Sequence, residues 1–418
     1  MEVKPGYKQT EVGVIPEEWE VERLGVLSKF VTSGSRGWAQ FYSESGALFI
    51  RSQNVRDGRL SFEDVRYVSP PTGAEGNRTK VRLNDLLITI TGNSVGNVAL
   101  VEQTFDEAYI SQHVGLVRLN EPTSGAYVCR YLSPSSPGNP QIAGSQSGQS
   151  KPGLNLQNLK DFLIAVPPTQ KELHAIAGAL SDVDGLLGGL DRLIAKKRDL
   201  KQAAMHQLLT GQNRLPGFHG EWAVKRLGQL AEMGSGGTPP SSISAYYDGD
   251  IPWASISDMT KGGKVIRSTD RNLTREGFRN CAAQMFPAGT VLYAMYASLG
   301  ECSIAGIPLC SSQAILGIRP EDELNGEFLY YFLTSLKAKV KALGQQGTQA
   351  NLNKGMVQDF RLSLPLVPEQ TAIAEVLTEM DAELAGLEQR REKTRALKQA
   401  MMQELLTGKI RLGQVLKV

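Results

Sequence analysis

The sequence predicts a mixed α/β (α+β) protein built twice on one plan. Two similar globular domains are separated by two long antiparallel helices that form an intramolecular coiled coil, with a pseudo-two-fold axis relating the halves. Three observations predict this. The chain repeats itself at half its length. Each repeat ends in a Pro-poor stretch of about 40 residues with helical apolar spacing. Each repeat begins with short β-type runs broken by small-residue loops.

The repeat rests on three blocks that recur in the same order. Trp19-Glu-Val-Glu-Arg-Leu-Gly-Val-Leu27 matches Trp222-Ala-Val-Lys-Arg-Leu-Gly-Gln-Leu230. Ser111-Gln112 matches Ser312-Gln313, and Leu200-Lys-Gln-Ala-Ala-Met-His-Gln-Leu-Leu-Thr-Gly211 matches Leu397-Lys-Gln-Ala-Met-Met-Gln-Glu-Leu-Leu-Thr-Gly408. The offsets are 203, 201 and 197 residues, so whole domains are duplicated rather than short solenoid units. After Gly211 the chain continues Gln-Asn-Arg-Leu-Pro-Gly-Phe218, whereas after Gly408 it runs Lys-Ile-Arg-Leu412 and the missing Pro-Gly-aromatic stands at Pro5-Gly6-Tyr7. The halves read as a closed cycle cut once, which places the two chain ends together.

The helices come next. Ile176, Leu180, Val183, Leu187, Leu190 and Ile194 alternate spacings of 4 and 3, as do Ile373, Leu377, Met380, Leu384 and Leu387. The stripe is expected to continue through Leu200, Ala204 and Leu208 and through Leu397, Met401 and Leu405. Pro167 and Pro168 precede the first helix, Pro365 and Pro368 bracket the start of the second, and Gly211 and Gly408 follow the ends as C-caps. A helix of about 40 residues is about 60 Å long and needs a partner along its apolar stripe, and its own duplicate is at hand. Gly185, Gly188 and Gly189 fall inside the first helix, at about 1 kcal/mol each relative to Ala; they either permit close helix approach or mark a soft point.

In the globular parts, Asp85–Ile90, Asn97–Val101 and Val114–Leu119 read as strands, answered by Val291–Tyr296, Ser303–Gly306 and Ala314–Ile318. Short helices follow at Ala126–Leu132 and Glu327–Lys341. The domain layout is therefore 1–166 globular, 167–212 helix, 213–366 globular, and 367–418 helix and tail.

Composition limits the function classes. Of 418 residues, 41% are hydrophobic and 21% charged, the range of a folded globular protein. A net charge of +2 is a weak pointer to nucleic acid and demands either a local basic face or help from a partner. No apolar run reaches membrane-span length and Met1 to Thr10 is polar, so no membrane association and a cytoplasmic location are expected. Cys129, Cys281, Cys302 and Cys310 form no CxxC pair, and read as reduced thiols. Gly262-Gly263-Lys264 lacks the rest of a phosphate-binding loop, Gly234-Ser-Gly-Gly237 has the wrong spacing for a dinucleotide site, and Asn139-Pro140-Gln141 is not a methyltransferase motif. There is no Gly-x-Ser-x-Gly or HExxH, and His113, His174, His206 and His219 stand alone. No catalytic residue, metal ligand or cofactor is expected.

The second globular part contains Gly236-Gly-Thr-Pro-Pro240, Tyr246-Tyr-Asp-Gly-Asp-Ile-Pro-Trp253, Ser311-Ser-Gln-Ala-Ile315 and Asn351-Leu-Asn353, followed by Glu369-Gln370 and Ile373-Ala374. With Tyr7-Lys-Gln-Thr-Glu-Val-Gly-Val-Ile-Pro-Glu-Glu-Trp19 and the two Leu-Leu-Thr-Gly helix ends, this ordered set resembles the specificity subunits of type I restriction–modification systems over essentially the whole chain. The first globular part departs from the pattern, carrying Ser33-Gly-Ser-Arg-Gly37 and Leu48-Phe-Ile-Arg-Ser-Gln-Asn54 instead.

The resemblance implies a non-catalytic subunit with two target recognition domains, each reading one half of a split double-stranded DNA site. It also implies that two adenine-methyltransferase subunits dock on the helices and that motor-nuclease subunits join through the complex. Base-edge readers are expected to be polar side chains on loops at the sheet edge. Arg51, Gln53, Asn54, Asn93, Ser94 and Gln112 are the candidates in the first domain; Ser255, Ser257, Asp258, Tyr296, Ser298 and Gln313 are those in the second. Gln112 and Gln313, present in both, also fit a framework or phosphate role. Lys201, Gln202, Lys398 and Gln399 are the candidates for partner docking on outward helix faces. Two other readings stay open: a coiled-coil assembly scaffold, and a recognition module of a related defence complex.

Overall fold

A computed structural model describes residues 4–70, 74–146, 153–345 and 351–412. The chain forms two compact units, Met1–Asp191 with Gln389–Val418, and Arg192–Glu388. The division falls inside both long helices, so each unit holds one globular part, the start of one long helix and the end of the other.

In the first unit, β1 (Ser28–Ser33), β2 (Ala47–Ile50), β3 (Leu86–Thr89), β4 (Val98–Leu100), β5 (Ala108–Ile110) and β6 (Val114–Leu119) precede α1 (Gly125–Leu132) and α2 (Gln170–Leu209). One antiparallel sheet has the order β1-β6-β3-β4, with Gly115 opposite Ser33 and Val117 opposite Leu86. A second sheet is built around the parallel pair β2 and β5, with Ile50 opposite Ile110. Leu86, Leu87 and Ile88 in succession are all 0% exposed, which is why β3 reads as a continuous apolar run rather than an alternating one.

The second unit repeats the plan. Its elements are β7 (Ala231–Ser235), β8 (Tyr247–Ala254), α3 (Ile256–Gly262), β9 (Val265–Ile266), β10 (Arg271–Leu273), β11 (Val291–Ala294), β12 (Cys302–Ala305), β13 (Cys310–Ser311) and β14 (Ile315–Pro320). They are followed by α4 (Gly326–Gln345) and α5 (Val367–Leu405). The main sheet is β7-β14-β11-β12-β9, and β8 pairs in parallel with β13, Ala254 opposite Ser311.

Both helices form at the expected length. Thr210 and Thr407 each donate a hydroxyl hydrogen bond four residues back at 2.6 Å, and Gly211 (φ +71°) and Gly408 (φ +68°) turn left-handed just after them. Within the first unit the helix segments run antiparallel, with Asp184 beside Lys398 (2.8 Å) and Asp191 beside Arg391 (3.5 Å). Within the second, Lys197 meets Glu383 (2.6 Å) and Lys201 meets Asp381, again in opposed order.

Each core recruits both helices. Ile176, Leu180, Met402, Leu405 and Leu406 join Trp19, Val117, Tyr127 and Tyr131 in the first unit. Leu208, Leu209, Ile373 and Leu377 join Tyr293, Phe328 and Tyr331 in the second.

Two sequence expectations need correction. Leu200 and Leu397 do not continue the buried stripe but are 47% and 55% exposed. The alternating 4 and 3 spacing, carried on from Ile194 and from Leu387, passes over Leu200 and Leu397 and lands on the residue after each. Those next residues are Lys201 and Lys398, and both form ion pairs there. Nor do Gly185 and Gly189 permit close approach: a methyl group at either would meet nothing within 4 Å.

The described chain ends meet as the cyclic reading requires. Tyr7 donates its hydroxyl to the Gly408 carbonyl at 3.3 Å. Arg411 then pairs with the buried Glu172 (Nη2 to Oε2, 2.9 Å) over the Trp19 ring. The uncut junction has the same parts: Arg214 pairs with Glu369 (Nη2 to Oε2, 2.7 Å) over Trp222, whose indole also donates to Glu369 at 3.2 Å.

Candidate nucleic-acid interface

In each unit three loops converge at one end of the sheets. In the first they are the turn after β2, the β3–β4 loop and the β5–β6 turn. Ser111 N donates to the Ile50 carbonyl at 2.8 Å and Ile90 N to the His113 carbonyl at 2.9 Å. The Thr91 hydroxyl is hydrogen-bonded to His113 Nδ1, and Asn97 Nδ2 donates to the Val55 carbonyl at 3.1 Å. In the second unit Ser312 N donates to Ala254 (2.9 Å), Met295 N to Ala314 (2.9 Å) and Gly237 N to Ser311 (2.8 Å).

The closeness of the first sheet's edge to these turns explains two glycines. A Cβ on Gly34 would lie 2.2 Å from the Ser111 carbonyl carbon, and one on Gly236 would lie 2.2 Å from the Ser312 oxygen. Gly34 is therefore the counterpart of Gly236, although the residues around it lack the Gly-Gly-Thr-Pro pattern. Backbone approach, not sequence likeness, is what the two units share here.

The candidate side chains divide into two groups. Gln53, Asn93, Gln112, Tyr296, Ser298 and Gln313 are exposed on these loops and Ser257 on the first turn of α3, while Arg51, Ser94 and Ser255 are half-buried. Asn54 and Asp258 are only 4% and 5% exposed. Asn54 Oδ1 accepts from Arg51 N (2.9 Å) and its amide donates to the Ser61 and Asp64 carbonyls (3.0 and 2.9 Å). Asp258 accepts from Ser255 N (2.8 Å) and Asp270 N (2.6 Å). These two buried residues therefore occupy one position of the shared frame: each closes a helical turn and does not project from it. Ser255 is the N-cap of α3, and Arg51 is held by Asp64, at 3.1 Å from its carboxylate.

The loop at 237–240 rests on an aromatic seat that sequence reasoning did not single out. Tyr247 donates its hydroxyl to the Pro239 carbonyl (2.7 Å) and Trp253 its indole N–H to Gly237 (2.9 Å). The Arg271 guanidinium lies 4.1 Å from the Tyr247 ring centroid and 5.9 Å from that of Trp253. The seat holds Thr238, whose hydroxyl accepts from Gln313 N at 3.4 Å. The signal was present in the Tyr246-to-Trp253 motif, but its target lies on another loop. In the first unit Trp38, stacked on Phe49 at 5.9 Å and beside Tyr109 at 5.4 Å, fills the corresponding core. Arg78 braces the loop after β1 there, donating to the Ser33 carbonyl and the Ser35 hydroxyl at 2.8 Å each.

The docking candidates also divide. Gln202 and Gln399 are exposed, but Lys201 and Lys398 do not lie on an outward face. Each has a side chain only 19% exposed and is engaged by Asp381 or Asp184.

Burial pushes the Cys129 and Cys310 thiols up to about 12, so both are neutral at physiological pH. Among the described residues no three His, Cys, Asp or Glu side chains cluster as metal ligands, and no helix is long and apolar enough to cross a membrane.

Residues 219–395 match the family described as type I restriction modification DNA specificity domain. A Methanocaldococcus jannaschii protein, provisionally named as the MjaX specificity subunit of a type I restriction enzyme, is 24% identical over 97% of both chains. The MjaVIII specificity subunit of the same organism is 22% identical over 95% of this chain and 94% of its own. The type I restriction enzyme EcoBI specificity subunit of Escherichia coli is 31% identical over 48% of this chain and 43% of its own. In fold, the chain is similar to the type I restriction–modification S subunit of M. genitalium, with a TM-score of 0.59 at 16% identity, covering 97% and 98% of the two chains. It is also similar to a chain of a type I restriction–modification system, with a TM-score of 0.58 at 20% identity, covering 95% and 99%. The duplicated frame, the paired helix segments and a likeness that runs the length of the sequence all point the same way: the chain is similar throughout to specificity subunits of type I restriction–modification systems, and its residues 219–395 match their DNA specificity domain.

Proposed function

We propose that this chain is the DNA-reading subunit of a cytoplasmic type I restriction–modification complex, and that each unit reads one half of a split, asymmetric double-stranded site. The observation that carries this reading is one backbone frame used twice with different side chains on the same three loops. A scaffold has no need to vary its loops while keeping their supports. In this reading Gln53, Asn93, Ser94 and Gln112 on one unit, and Ser257, Tyr296, Ser298 and Gln313 on the other, are the side chains that meet base edges or phosphates, and their exposure supports it. Arg51 joins them if Asp64 releases it, whereas Asn54, Ser255 and Asp258 act by holding the turns. The chain is not itself an enzyme in this role. Two adenine-methyltransferase subunits dock along the helices, with Gln202 and Gln399 on the available faces, and motor-nuclease subunits join through the complex.

The test is to co-express the chain with its cognate methyltransferase and map methylated adenines by single-molecule sequencing. The expected result is a motif of two defined halves around a fixed gap, with exchange of one globular part altering one half alone. A four-residue insertion in both helices adds about 6 Å and is expected to widen the gap by about two base pairs with both halves unchanged. Absence of methylation from a complex that assembles and binds the methyl donor refutes the reading and favours the scaffold.

A further inference from the structure

The two lysines first placed on an outward helix face belong to a joint that the structure builds twice. In the first unit Arg130 on α1 is ion-paired with Asp184 on α2 and lies 3.5 Å from the Ser181 hydroxyl, while Lys398 on α5 takes the other oxygen of Asp184 at 2.8 Å. In the second unit the partners recur at duplicated positions. Tyr331 on α4 donates its hydroxyl to Asp381 on α5 (2.7 Å) and lies 3.1 Å from the Thr378 hydroxyl. Lys201 on α2 pairs with Asp381 and sits 5.6 Å from the Tyr331 ring centroid. In each unit these pairings tie the short helix of the globular part to one long-helix segment, and that segment to the other.

The fourth member comes from one loop of each sheet. Gly58 bridges in parallel to Ala99 on β4, as Val265 on β9 does to Ile304 on β12. Beside Gly58, Asp57 lies near the Ser133 hydroxyl and within the electrostatic reach of Lys398, Arg130 and Asp184. A Cβ on Gly58 itself would lie 3.1 Å from an Arg130 guanidinium nitrogen. Beside Val265, Lys264 donates to Glu327 (2.9 Å), Tyr331 (3.1 Å) and Thr378 (2.8 Å). The chemistry differs but the charge balances both times. Arg130 and Lys398 face Asp57 and Asp184, whereas Lys201 and Lys264 face Asp381 and Glu327 around an uncharged tyrosine. Such a polar network rewards only the arrangement that satisfies all its members.

We propose that this joint is the positioning device that fixes each recognition surface on the helices, with Arg130 and Asp57 matched in one unit and Tyr331 and Lys264 matched in the other. The proposal rests on the DNA-reading function above. It is tested in the assembled methyltransferase complex with R130Y, the double variant R130Y/D57N, and Y331F. R130Y leaves Asp57 and Asp184 to share Lys398, and is expected to lower the melting midpoint by about 2–4 °C and the amide protection of residues 125–132. Adding D57N restores neutrality and is expected to recover most of both. Y331F removes one hydroxyl without changing shape, and is expected to loosen residues 326–333 in the same way.

A merely stabilising role predicts less methylation at an unchanged motif. A positioning role predicts that R130Y and Y331F methylate the same half-sites across gaps one base pair longer or shorter, and that R130Y/D57N returns to the single gap. An unchanged gap in both single variants, or no recovery on adding D57N, overturns the proposal. A wild-type complex with no split motif instead refutes the DNA-reading function and the positioning role with it, while the rescue measurement still reports whether the charges are matched.

Discussion

Replacing Gly185 and Gly189 with alanine is expected to stabilise the first unit. Both glycines lie within the 40-residue α2, where Gly is about 0.8–1.0 kcal/mol less favourable than Ala. Neither needs a positive φ, and a methyl group at either meets nothing within 4 Å. No clash offsets the gain, so the pair is expected to contribute about 2 kcal/mol, mainly by restricting the unfolded chain. For a unit of this size that is a rise of about 4–8 °C in melting midpoint. The assay is thermal and urea unfolding of the isolated subunit, with amide exchange across residues 181–194 to localise the gain. No change or a fall refutes the reasoning, because it means that something packs on this face in solution. Repeating the assembly with the methyltransferase adds a second comparison: weaker assembly of the double alanine variant alone places the partner on this face.

Further expectations follow from the same contacts. Glu369→Ala leaves Arg214 and the Trp222 indole without their shared acceptor, and is expected to cost about 2–3 kcal/mol by urea unfolding after allowing for the exposed side of the arginine. Gly236→Ala drives a methyl into the Ser311–Ser312 backbone and is expected to abolish recognition of the second half-site in methylation mapping, while the first half-site is retained when the units are tested as separate reading heads. Asp57 supplies a pH test: burial, against the attraction of Lys398 and Arg130, raises its carboxyl above the usual range. Its ionised form is thus disfavoured in the folded state, and stability is expected to rise as pH falls from above its folded pKa towards the unfolded value. D57N removes this titration, so its stability relative to the wild type is expected to fall as pH is lowered from about 7 towards about 4; a difference that does not change with pH refutes the assignment.

Most of the architecture was legible in the sequence because its signals are periodic or repeated. The duplicated blocks, the Pro-bounded helices and the Gly caps at 211 and 408 each reflect a local rule that needs no knowledge of distant residues. The site was legible only to the level of loops. Gln53, Asn93, Gln112, Ser257, Tyr296, Ser298 and Gln313 do stand exposed where polar loop residues were expected. Asn54 and Asp258 turned inward because their partners, Asp64 and Asp270, lie beyond the turn itself. The spacing of Ser255 and Asp258 already matched a capping box and outweighs any reading of them as free polar groups. Lys201 and Lys398 were misplaced for another reason. Their inward turn follows the 4 and 3 spacing of the stripe, which reaches Lys201 and Lys398 when carried on from Ile194 and Leu387, and is fixed by acceptors on the opposite segment, which no single-strand pattern displays.

The way each core is assembled carries a consequence in time. The second unit is one continuous stretch, Arg192–Glu388, so every residue of its core has been synthesised by then. The first unit is interrupted: Ile176 and Leu180 are made early, yet the core they share is completed by Met402, Leu405 and Leu406 near the end of the chain. During synthesis the ribosome therefore releases a finished second unit before the first can close, and an apolar face of the older segment waits through some 200 residues for its mate. Domain order along the chain is the reverse of the order in which the two folds can be sealed. The interval is the window in which a nascent subunit is most exposed to proteases and to premature association with another copy.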